Sequence, residues 1–150
     1  MKNVFNKQDS TEIIERINKL TPETKALWGK MSVSKMLSHC CVTYEYVFET
    51  TFPKPGAFKR FILKAFVKNL VVSDKPYKKN SPTGPDFIIK DEKEFMFEKE
   101  RLINYIIRTQ ELGEKHFDGL ESHSFGPLTS TQWNTMFYKH LDHHLSQFGV

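Results

Sequence analysis

Cysteine is scarce in this chain of 150 residues: there are two, Cys40 and Cys41, side by side. Neighbouring side chains on a helix diverge, so geometry disfavours an ordinary disulfide between them. No second cysteine pair exists to complete a thiolate metal site. Long apolar runs are missing too. No stretch approaches the roughly 20 residues of a membrane-crossing helix, and the start, MKNVFNKQDSTEIIERI, has no apolar signal-peptide core. A cytoplasmic location with no membrane partner is the expectation. Strand-like alternation and internal repeats are also absent, which leaves helices as the building material.

What is present suits a globular helical domain. Hydrophobic residues make up 39 % and aromatic ones 13 %, enough for a core in one domain spanning 1–150. The net charge of +4 is mild. Its basic residues gather in FPKPGAFKRFILKAFVKNL and SDKPYKKNSP, but no nucleic-acid-binding module accompanies them, and a solvated basic face is expected.

Boundary signals divide the chain. Asp9 is the expected N-cap of a first helix near 10–20, with Glu12 reaching back. Thr21 and Pro22 suggest a further short helical turn before Gly29. Ser32 should cap a helix over 32–50, with Met31 and Met36 as its hydrophobic staple. A basic amphipathic helix is predicted near 56–70. Its stripe of Phe58, Phe61, Ile62, Ala65 and Phe66 needs covering, either by the chain's own core or by a second copy in a homodimer. Residues 73–90 read as a long Pro- and Gly-containing loop of the kind that covers something or moves. A helix over 91–112 follows. The last, over 129–147, has the fullest start signal: Thr129 as cap, Gln132 as its capping-box partner, Leu128 and Trp133 as staple.

The chemistry gathers in HLDHHLSQF, residues 140–148. At about 100° per residue, Trp133, Met136, Phe137, His140, His144 and Gln147 fall in one arc, with Lys139 and Asp142 outside it. His140 and His144 therefore continue an apolar stripe toward the core, while His143 sits at its margin. Inward imidazoles need partners. The i, i+4 spacing admits either hydrogen-bonded core histidines or two ligands sharing one ion. His39 is the only histidine within another well-defined helix, at the edge of the apolar arc beside Thr43 and Tyr46.

Two stretches, LWGKMSVSKMLSHC (27–40) and SFGPLTSTQWNTMFYKHLDHHLSQFG (124–149), resemble the DinB-like superfamily, in particular its branch with W-G-K-M and K-H-x-x-H-H-x-x-Q-F motifs. The resemblance implies an all-α, antiparallel up-down-down-up four-helix bundle. It further implies a mononuclear divalent metal, zinc foremost with nickel, iron or manganese as alternatives. The ligands it implies are His39, His140 and His144, with Gln147 in the place of a glutamine that follows the pair in many relatives. Many relatives carry H-R-G-Q where this chain has HLSQ, so any role of that arginine is missing here.

A three-imidazole metal with open positions is a catalytic layout. It could activate water, or bind a thiolate. The resemblance implies both kinds of enzyme, thiol S-transferases and hydrolases, acting on a small molecule such as a low-molecular-weight thiol. It also implies that pairing into homodimers is common. Glu45 lies about 120° from His39 around its helix. No carboxylate thus shares the inward face, which favours the thiol. Tyr46, His143, Gln147 and Thr43 are the candidate pocket residues. The alternative is a non-catalytic bundle that binds a metal or a ligand.

Overall fold

Helix α1, Lys7–Asn18, begins three residues before the expected region because Asn6, not Asp9, is its cap. The Asn6 side chain accepts the amides of Gln8 and Asp9 at 2.9 and 3.2 Å, while the Asp9 carboxylate turns back to accept the amide of Asn3. All residues, 1–150, are described in this computed structural model. Residues 21–31 contain no helix, contrary to the expectation from Thr21 and Pro22. There the Thr24 hydroxyl accepts the Thr21 amide and closes a tight turn, and the amide of Leu27 then donates to the carbonyl of Gln147. Docking onto the end of the last helix replaces helical pairing.

Helix α2, Val33–Phe48, starts at the expected cap, Ser32. Helix α3, Ala57–Ile62, runs through a single π-type turn, Leu63–Val67, into α4, Lys68–Val72. The loop after it carries one short 3₁₀ turn, Pro85–Phe87. Helix α5 spans Phe95–Phe117, with a break at Gly113, whose φ of 72° and ψ of 172° are not helical. It starts four residues later than expected. Its cap is Glu94, an unusual capping residue, whose carboxylate accepts the amide of Met96 at 3.0 Å. A two-residue antiparallel ribbon, β1 (Glu121–Ser122) with β2 (Gly126–Pro127), precedes α6, Ser130–Gln147. The Thr129–Gln132 capping box of α6 forms as expected.

The protein is thus mostly helical, and its one small ribbon lies outside the core. Helix α5 packs on α1, α2 and α6, and α6 also touches α1, α2 and α4. Apolar residues one turn apart supply the shared core: Ile13 and Ile17, Leu37 and Cys41, Leu102 and Ile106, Phe137 and Leu141, each at most 1 % exposed. Aromatic stacking adds to it, with the Phe137 ring 4.9 Å from Tyr44 and 5.4 Å from Trp133. Both cysteines are buried and free. Burial pushes their thiols far above the usual range, which disqualifies them as nucleophiles.

Lys139 departs from the helical-wheel expectation. It is buried, and its ammonium donates to the carbonyls of Leu70, Ser73 and Lys75 at 2.7, 2.5 and 3.2 Å. These are carbonyls at and beyond the end of α4, where a cation is favoured. Lys139 thus fastens α4 to α6.

The packing of α6 sets a stability expectation. Phe137→Ala should lower the unfolding free energy by about 3–5 kcal/mol, whereas Thr129→Ala should lower it by about 1 kcal/mol. Denaturant melts that gave equal losses would contradict this packing.

Candidate metal centre

Contact between α2 and α6 brings three imidazoles together. One donor nitrogen from each of His39, His140 and His144 lies within 4.8 Å of the other two. His39 and His144 are buried, and His140 is partly so. The His39 Nε2 lies 3.0 Å from the His140 Nε2. Tetrahedral zinc ligands at 2.0–2.1 Å stand about 3.3 Å apart, so the cluster has the dimensions of an ion site.

The other ring nitrogens show how the rings are aimed. His39 Nδ1 is 2.8 Å from the carbonyl of Phe87, which can only accept, so this nitrogen carries hydrogen. His144 Nδ1 is 2.8 Å from Gln147 Oε1. The Gln147 amide nitrogen donates to the Trp28 carbonyl at 2.7 Å, which fixes the amide and makes His144 Nδ1 a donor as well. His39 and His144 therefore turn bare Nε2 lone pairs toward the cluster. Holding a histidine by its far nitrogen is how metal sites orient their ligands.

His140 is the adjustable member. Its Nδ1 lies 3.0 Å from Thr43 Oγ1, and a hydroxyl can donate or accept. Without a cation, two lone pairs at 3.0 Å repel, so His140 Nε2 carries hydrogen toward His39 while Thr43 donates to Nδ1. Were a cation held there, the Thr43 hydroxyl could turn to accept from Nδ1, leaving the His140 Nε2 lone pair free to join the other two.

Burial keeps the cluster neutral. Desolvation is the main cause lowering the pKa of His39 and of His140, the latter well below the ordinary value of 6.5. His144 is pushed down to about 3 by burial first and His39 second. Neutral imidazole is the form that binds a metal.

The remaining candidates take different places. His143 is not among the three gathered nitrogens; its ring meets that of His144 edge-on at 5.0 Å and lies 6.0 Å from Trp28 and 5.6 Å from Tyr77. His143, Trp28 and Tyr77 line an outer cleft of about 430 Å³ that also holds Lys79 and Asp142. The Tyr46 hydroxyl donates to Asp86 at 2.7 Å, and its ring stacks on His123. It makes no bond to the three histidines, and burial raises its pKa, so it is a poor acid. Glu45 is engaged by Arg101, away from the cluster.

Sequence reasoning missed Phe87 and the backbone of Trp28. Phe87 ends the 3₁₀ turn in the long loop and sets its ring 5.3 Å from His39 and 5.8 Å from His140. The loop therefore does cover something. A main-chain carbonyl leaves no signature in residue identity, and the loop's length was the only clue. Gly29 explains its own motif. At φ +82° it adopts a backbone that side chains resist, and an added Cβ would come within 2.6 Å of the Gln147 amide.

A helical protein with an inward histidine trio could hold a metal ion. The chain belongs to the family described as Protein of unknown function (DUF1569), whose pattern matches residues 2–149. No curated protein and no solved structure matches the chain.

The depressed pKa values predict the sign of a pH effect. The unfolded chain takes up protons near pH 6.5, whereas folded His144 resists them until about pH 3. Stability is therefore whole above pH 6.5 and falls as the pH drops below it, by up to about 1.4 kcal/mol per unit for a buried histidine. Urea melts of chelator-treated protein between pH 8 and 5 should show this decline. A flat profile would contradict the buried neutral trio.

Proposed function

We propose that this protein is a mononuclear metal enzyme in which His39, His140 and His144 hold one divalent ion, most suitably zinc. The observation that carries the reading is the outward tethering of the rings: two Nδ1 atoms are committed as donors, and the third has a reversible hydroxyl partner. Core histidines that merely needed a hydrogen bond would not require three ring nitrogens gathered within one ion's reach. In this reading the four longer helices form one domain, an up-down-down-up DinB-like bundle. Support comes from the contacts of α5 and α6 with both α1 and α2.

A bound ion with three imidazole ligands keeps at least one position open, and there it lowers the pKa of a water or stabilises a thiolate. The protein's own residues favour the thiol. A hydrolase needs a base beside the attacking water. Here Asp86 is occupied by Tyr46, Glu45 by Arg101, and Asp142 by Arg16. Thiol transfer needs no separate base, because binding itself favours the deprotonated sulfur. The reaction class proposed is attack of a low-molecular-weight thiolate on an electrophilic carbon: the C–S bond would form as the bond to a leaving group breaks, the leaving group departing with the electron pair and the thiol proton passing to solvent, with Phe87 limiting water over the site.

Metal analysis of native, untagged protein tests the reading. One equivalent of metal is expected. His140→Ala and His144→Ala should each abolish stoichiometric binding, and His39→Ala should weaken it severely. His143→Ala should leave it nearly unchanged. Loss of metal from His143→Ala alone would refute the assignment. Thiol-transfer turnover that survives complete chelation would refute the catalytic role.

A further inference from the structure

The segment from Ala57 to Val72 is docked by one side only. Leu63, Val67, Val71 and Val72 are half-buried, and Lys139 holds the carbonyls at the α4 end. Arg60 pairs with Glu121. The opposite side is bare: Phe58 and Phe66 are each 79 % exposed, Phe61 68 % and Leu70 54 %. With Ile62 they leave on the order of 500 Å² of apolar surface uncovered, a size that usually has a purpose.

The π turn gives this face its shape. In an uninterrupted helix Leu70 would lie about 120° around the axis from Phe58. The extra residue accommodated in Leu63–Val67 turns the following chain back by about one residue's rotation. Phe58, Ile62, Phe66 and Leu70 then form one row. The chain's own body does not cover that row, contrary to one of the two expectations for it.

Charge decides between the possible occupants. Residues 54–79 carry eight Lys or Arg and a single Asp, a net +7, whereas the rest of the chain is net −3. A symmetric dimer through this row would bring two such strips together and meet repulsion. An anionic surface with an apolar interior satisfies both features. Lys59 and Lys64 are exposed in the same segment; the Lys64 ammonium rests near Gly126, and both long side chains can extend their ammonium groups to phosphates while their stems stay against apolar surface.

We propose that the outer face of α3, the π turn and α4 is a peripheral membrane-docking surface for anionic phospholipid. The phenylalanine row lies at the boundary of headgroups and acyl chains, and the flanking lysines contact the phosphates. This is attachment without crossing: no helix is long and apolar enough to span a membrane. It differs from the expectation of no membrane partner, which follows from the lack of a spanning segment and does not bear on surface attachment. Because α4 is fastened to Lys139, the residue before His140, docking would leave α4 between the bilayer and α6.

Co-sedimentation with phosphatidylcholine vesicles, with and without roughly 30 mol % phosphatidylglycerol, tests the proposal on the full chain. Binding should require the anionic lipid and weaken as salt rises. The double variants Phe58→Ser/Phe66→Ser and Lys59→Glu/Lys64→Glu should each lose at least tenfold in vesicle affinity. Their melting should match the parent, because all four side chains are exposed. No binding to the anionic vesicles, or binding that the phenylalanine variant retains, would overturn the proposal. So would a dimer in sedimentation velocity that this variant converts to monomer, since the row would then belong to a second copy.

Discussion

Everything about the histidine cluster depends on keeping three imidazoles neutral while turning their Nε2 atoms toward one point. Burial supplies the neutrality, and hydrogen bonds at the far nitrogens supply the direction. The partners come from separate parts of the chain: the carbonyl of Phe87 in the long loop, the hydroxyl of Thr43 in α2, and the amide of Gln147 in α6. Gln147 is in turn held by the carbonyl of Trp28. Four stretches distant in sequence thus have to be folded before the cluster is aimed. That is an organised site, not three histidines that happen to be near each other.

The same bonds explain the WGKM motif. Trp28 contributes its carbonyl, and Gly29 contributes the absence of a side chain where the Gln147 amide approaches. Met31 packs against the core beside the start of α2. The stretch therefore acts as a clamp on the C-terminal end of α6. This explains why residues 21–31 do not form the helical turn that Thr21 and Pro22 suggested. Their backbone groups are needed for a contact outside the helix, and tertiary demand overrides local propensity.

Much of this was legible in the residues. The apolar period of α6 placed His140 and His144 inward, and the capping box at Thr129 located its start. His39 was identifiable as the sole histidine of another well-defined helix, and family resemblance gave it a role. The Tyr46 side chain illustrates the limit. It shares an edge of α2 with His39, but Asp86 draws its hydroxyl away, and no helical wheel contains the loop that carries Asp86. Lys139 was placed outside the core by its angle alone. It is buried because the carbonyls around the end of α4 give its charge three partners. The first cap differs from expectation for a related reason: Asn6 and Asp9 are both good caps, and only the chain path before the helix chooses between them.

If the trio holds an ion, the Nε2 atom of each ring is the one that meets it. Long-range ¹H–¹⁵N NMR on histidine-labelled protein, before and after one equivalent of zinc, reads this directly. In the metal-free protein, His39 and His144 should carry hydrogen on Nδ1 and His140 on Nε2. On adding zinc, all three should carry hydrogen on Nδ1, with the three Nε2 signals moved together to metal-bound positions. Zinc on any Nδ1, or zinc-induced change centred on His143 instead of this trio, would contradict the account.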